Sequence, residues 1–139
     1  MAEILKAFGA EVWGLDPAGV PDGIRAASLQ EMVAACDAVS LHCRLTEDNR
    51  FLISAELLAG ARPGLVLVNT ARGGLLDVDA AVAALDDGRL HALGVDVFPE
   101  EPWPRLRDAA RPGVLFTPHA AGYHTGPVSY THLTLPTIQ

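Results

Sequence analysis

The chain has 139 residues, half of them hydrophobic and 19% charged, with a formal net charge of −7. That balance excludes a disordered chain and leaves room for one domain with a real core. The acidic charge argues against a general nucleic-acid binder, no apolar run is long enough to span a bilayer, and the N-terminus lacks the basic, apolar, small-residue order of a signal peptide; a cytoplasmic protein without nucleic acid or membrane partners is expected.

In chain order, Ile4, Leu5 and Phe8 belong to a helix that leads into Gly9. Glu11 to Leu15 reads as a strand broken by Asp16-Pro17, and Ile24 to Ala27 as a second, weaker one. Ser28-x-x-Glu31 has capping-box form and opens a helix whose apolar face is Leu29, Met32, Val33 and Cys36. Ala38 to His42 is the next strand. Ser54 caps a short helix that stops at Gly60, and Arg62-Pro63-Gly64 turns the chain into Leu65 to Val68, apolar at every position as a strand covered on both faces should be. Asp77 caps a helix with Val78, Val82 and Leu85 on one side and Gly88 as its stop. Leu93 to Val97 and Val114 to Thr117 are the last strands, with a short helix expected between them in Trp103 to Ala110. Strands alternating with helices predict a parallel sheet, with Leu65–Val68 and Leu93–Val97 inside it.

The polar residues just past the predicted strand ends are Asp16, His42, Asn69 with Thr70 and Arg72, Asp96, and His119. In an open parallel sheet, ligands bind at that edge. A carboxylate at position 16 can take hydrogen bonds from the ribose hydroxyls of an adenine nucleotide and would repel an extra phosphate there. Arg72, in a Gly-flanked loop, can hold a carboxylate through two parallel bonds. Glu101 and His119 lie 18 residues apart on neighbouring strand-end loops, and a carboxylate beside an imidazole makes a general acid. Each residue alone is also compatible with an ordinary turn or a solvated loop. Cys36 and Cys43 form no CxxC pair and read as reduced thiols; His119 and His124 have no second ligand cluster, so no metal site is expected.

Four blocks carry a resemblance. Ala38 to Thr46, Leu67 to Asp77, Gly94 to Pro102 and Thr117 to Gly122 follow one another as in the D-isomer-specific 2-hydroxyacid dehydrogenase family, which the chain resembles over about Leu5 to Tyr123. The resemblance implies a doubly wound, Rossmann-like α/β domain, incomplete at its N-terminus, that uses NAD as cofactor. It implies that Arg72 binds the substrate carboxylate, that His119 protonates the carbonyl oxygen, and that Glu101 holds this histidine. It also implies that Asp16, His42, Thr70, Ala71 and Asp96 bind the cofactor. The partner is then a small 2-hydroxy or 2-oxo acid, and the parent protein a homodimer. Residues 1–127 are expected to be part of the NAD-binding domain, with the Gly-rich phosphate loop upstream of Met1, so that this chain alone binds NAD weakly and turns nothing over. Arg44 stands where the family often has proline, and Glu101 departs from the glutamine usual in formate dehydrogenases. Two further readings are an NAD-sensing module similar to the C-terminal binding proteins and a truncated, inactive product. The tail, 128–139, resembles a reading frame of the transposase adapter used to prepare DNA sequencing libraries, and a non-native segment is expected there.

Overall fold

The computed structural model describes residues 2–101, 103–105 and 107–120, and the backbone of 137–138. The chain runs α1 (Ala2–Ala7), β1 (Val12–Gly14), β2 (Arg25–Ala26), α2 (Leu29–Ala35), β3 (Ala38–Leu41), α3 (Ala55–Ala59), β4 (Leu65–Asn69), α4 (Val78–Asp86), β5 (Leu90–Val95), β6 (Val114–Phe116) and β7 (Thr137–Ile138). A 3-10 turn, Gly73–Leu75, lies between β4 and α4. The result is a Rossmann-like α/β fold.

Strands β3, β4, β5 and β6 form a sheet in that order, every neighbouring pair parallel. The interior positions of β4 and β5 are therefore as their sequences predict. Strands β1 and β2 pair in parallel as a second, smaller sheet. Thr137–Ile138 lies antiparallel on β1 and close to β3. The rest of the expected non-native tail, 128–136 and 139, lies outside the described residues, as does His124.

Local chemistry sets the helix starts. Ser28 and Glu31 complete a reciprocal capping box on α2, and the Ser54 hydroxyl and Asp77 carboxylate accept the backbone N–H groups of Leu57 and Ala80. Each such cap satisfies a donor that the first helical turn leaves unpaired. The core sits between the four-stranded sheet and helices α2 to α4: Leu65, Leu67, Leu93 and Val95 meet Met32, Val33, Leu58, Ala81 and Ala84, all buried. Helix α1 contributes no buried residue.

Two expectations need correction. Strand β5 begins at Leu90, not Leu93, and ends at Val95. The register with β4 shifts between Leu65 and Val66, so that His91 is an extra residue on β5; this exposed polar side chain interrupts the apolar run that would mark the strand's start. The described residues of 103–110 form turns and not a helix. Pro104 has no N–H to give, and among the described residues a single bond of α-helical spacing forms, from Ala109 N–H to the Arg105 carbonyl.

Candidate active site

The parallel register aligns the strand ends. Leu41 stands opposite Asn69, Asn69 opposite Val95, and Val95 opposite Phe116. The next residues along each strand, His42, Thr70, Asp96 and Thr117, therefore share one rim, and the loops with Arg72, Glu101 and His119 rise from it.

Asn69 builds the first loop. Its side chain is fully buried, accepting the Ala71 N–H at 3.1 Å and donating to the Arg72 carbonyl at 3.0 Å, while its own carbonyl accepts the Asp96 N–H at 3.0 Å. The amide thus replaces the backbone partners that the chain loses when it leaves the sheet. Thr70 and Arg72 are exposed. The Arg72 guanidinium donates to the Ala71 carbonyl at 2.6 Å.

The second and third loops meet. Glu101 Oε2 lies 3.2 Å from His119 Nδ1, and Glu101 Oε1 accepts the Phe98 N–H at 3.2 Å. These contacts hold the Glu101 carboxyl below the usual glutamate range, the Phe98 N–H first and the His119 ring second. His119 has φ of 55°, in the left-handed region where a side chain other than glycine is strained. Asp96, 3% exposed, braces this residue from below: its Oδ1 accepts the Thr117 hydroxyl and, at 2.8 Å, the Ala120 N–H. A cavity of about 350 Å3 opens beside the pair, walled by Phe98, Trp103 and Phe116, with Phe98 stacked on Trp103 at 5.5 Å.

On the smaller sheet, Asp16 lies just past β1, half-buried, its Oδ1 accepting the Ala18 N–H at 2.8 Å. Past β1 a groove of about 670 Å3 is lined by Leu15, Leu29, Val33, Leu52 and Leu57, with the capping serines 28 and 54 also in its wall. His42 is half-buried, and that burial pushes its imidazole down from the ordinary histidine value.

The geometry brings Glu101 and His119 into contact, sets Arg72 on the adjoining loop, and puts His42, Thr70, Ala71 and Asp96 along the same rim. Thr117 and the apolar groove past β1 are additions, and Asn69, placed at the rim by its position after the apolar run, proves to be the residue that shapes the Arg72 loop. Asn69 was readable as the polar residue ending the apolar run 65–68; the groove joins residues far apart in sequence and left no local mark. Among the described residues, no three His, Cys, Asp or Glu side chains cluster to hold a metal ion, and no helix is long and apolar enough to cross a membrane.

A parallel four-stranded sheet with an acid–imidazole pair at its C-terminal rim, accompanied by a smaller parallel pair of strands that ends in a carboxylate, is the arrangement of a dinucleotide-binding α/β domain. Residues 1–121 match the model of the D-isomer specific 2-hydroxyacid dehydrogenase NAD-binding domain, and the chain belongs to that family. It is 34% identical over 140 residues to the D-lactate dehydrogenase of Leuconostoc mesenteroides subsp. cremoris, covering 88% of this chain and 42% of that enzyme. Among solved structures, the TT0316 protein from Thermus thermophilus is 38% identical with a TM-score of 0.78, over 86% of this chain and 38% of that one. The D-isomer specific 2-hydroxyacid dehydrogenase from Lactobacillus delbrueckii ssp. bulgaricus, solved with NAD, is 30% identical with a TM-score of 0.79, over 89% and 43%. The chain thus spans less than half the length of each.

Proposed function

We propose that this domain serves an enzyme that moves a hydride between NAD(H) and a 2-hydroxy or 2-oxo acid. The observation that carries the reading is the Glu101–His119 pair, at 3.2 Å, on the rim that also bears the Arg72 loop. A 2-oxo acid needs a fixed cation for its carboxylate and a proton for its carbonyl oxygen. Arg72 supplies the cation, its guanidinium exchanging the Ala71 carbonyl for the two carboxylate oxygens. Glu101 engages Nδ1 of His119, so Nε2 is the nitrogen that delivers the proton in reduction and recovers it in oxidation.

The residues past β1 fit the cofactor. The groove beside Leu15 and Leu29 suits an adenine ring, and the Asp16 carboxylate suits the ribose diol while repelling a 2′-phosphate, which favours NAD over NADP. His42, Thr70, Ala71 and Asp96 would line the cleft between. When bound, the reduced nicotinamide supplies the hydride to the carbonyl carbon, and the His119 proton completes the hydroxyl.

A chimera tests the reading: residues 1–121 replace the matching segment of the Leuconostoc D-lactate dehydrogenase, and NADH-dependent reduction of pyruvate is followed. His119→Gln should lower turnover by roughly a hundredfold or more with NADH affinity little changed. Arg72→Ala should damage both kcat and KM, because its bond to the carboxylate exists before and during hydride transfer. NADPH should serve less well than NADH, and Asp16→Ala should narrow that gap. Near-full activity in His119→Gln would refute the mechanism. A chimera that binds NADH normally yet reduces nothing would favour an NAD-sensing module instead.

A further inference from the structure

The two halves of the proposed catalytic set stand on separate loops, and a 2-oxo acid is a short, flat substrate whose carboxylate adjoins its carbonyl. Arg72 and His119 must therefore keep a fixed spacing, since a misplacement of about 1 Å can cost on the order of a hundredfold in rate. Arg72 is exposed, and His119 occupies a strained backbone conformation, so neither fixes that spacing by itself.

The two loops touch at Gly73. A Cβ at this position would fall closer than 3.0 Å to the carbonyl carbon and oxygen of Phe98 and to the Pro99 nitrogen, all of them backbone atoms that cannot swing aside. Gly73 is buried and follows Arg72 directly, at the start of the 3-10 turn. On the other side of the contact, Phe98 donates its N–H to Glu101, and its ring packs against Trp103 and Phe116. One backbone segment, 98–99, therefore rests on the Arg72 loop and at the same time orients the carboxylate that holds His119.

We propose that Gly73 is a positioning residue: its missing side chain lets the Arg72 loop lie directly on the Phe98–Pro99 backbone, and this contact sets the distance between the carboxylate-binding arginine and the Glu101–His119 pair. The inference rests on the roles proposed above for those three residues. It differs from a simple packing requirement, because displacing Phe98 should reach Glu101 through the Phe98 N–H.

The test uses the full 139-residue chain. The Glu101 carboxyl is titrated by carbon-detected NMR in the wild type, in Gly73→Ala, and in Gly94→Ala as a control. Gly94 lies on β5, where an added methyl would meet only the Val68 methyls, at 3.6 and 3.7 Å. The groups facing Glu101 are the Phe98 N–H, the His119 ring and the more distant Asp96 carboxylate. In Gly73→Ala the Phe98 N–H withdraws, so Glu101 should titrate higher, toward the ordinary glutamate range, and the Phe98 amide resonance should move; Gly94→Ala should change neither. A folded Gly73→Ala chain in which both signals match the wild type would overturn the proposal.

If Gly73→Ala does not fold, the wild type still decides the matter. The Phe98 N–H, held on the Glu101 carboxylate by a residue whose carbonyl rests against Gly73, should exchange with solvent on the order of a hundredfold more slowly than an unprotected amide. Exchange at the unprotected rate would overturn the proposal as well. Neither readout involves turnover, so the oxidoreductase reading stands or falls separately on the chimera kinetics.

Discussion

The half-buried imidazole of His42 makes part of the fold's stability depend on pH. Burial disfavours its charged form, so the folded state takes up a proton less readily than the unfolded chain does. The sign follows from linkage: the unfolded state binds more protons as pH falls through the free-histidine value of about 6.5, so stability present above that value declines below it. Thermal melts of wild type and His42→Gln between pH 7.5 and 5.5 (values of about one unit either side of the free-histidine pKa) should show a steeper decline in the wild type. Equal slopes would mean that His42 is solvated. The same physics quiets Cys36, whose thiol is pushed up to about 11, chiefly by burial; it reads as structural and not reactive. Most residues of the proposed site were legible because each follows a strand end, and strand ends can be read from apolar runs. Gly73 was not, because its importance lies in a backbone that passes over it from a segment some 25 positions later.

Among the elements, the helices were the most readable, because their caps are local. Ser28, Ser54 and Asp77 each perform the capping that their spacing suggests. Helix α4 links two interior strands, and its cap therefore bears on the central sheet. Asp77→Ala would leave the Ala80 N–H without its 3.0 Å partner and should lower stability by about 1 kcal/mol. Urea denaturation checks this, with a shifted midpoint and an unchanged slope as the expected result. Strand limits were less readable wherever pairing and not propensity decided them. The start of β5 depends on an extra residue accommodated opposite β4, and an exposed histidine in mid-strand gives no local sign of that. Trp103 to Ala110 misled in the other direction: its composition suits a helix, while Pro104 and the packing of Trp103 on Phe98 shape turns.

At the scale of the molecule, the four-stranded sheet holds the proposed chemistry, and the smaller sheet holds Asp16. Thr137–Ile138 reaches the smaller sheet through two residues of antiparallel pairing. If 128–139 is non-native, as its sequence suggests, removing it should change stability by less than about 1 kcal/mol, the range of an ordinary surface change. Calorimetry of the shortened chain tests this, and a larger loss would make the β1–β7 pairing part of the native fold.

The opposite rim of the four-stranded sheet is built differently. Gly64 and Gly113, both with positive φ, turn the chain tightly into β4 and β6. Nothing in the proposed mechanism visits that rim. One side of the sheet is therefore a row of compact reversals, and the other a set of longer loops that hold the groups proposed to react. The second can diversify without disturbing the first. The same asymmetry offers an engineering handle: a fluorophore or a surface tether attached near Gly64 would report on the domain from the far side of its sheet, away from the rim where a ligand would arrive.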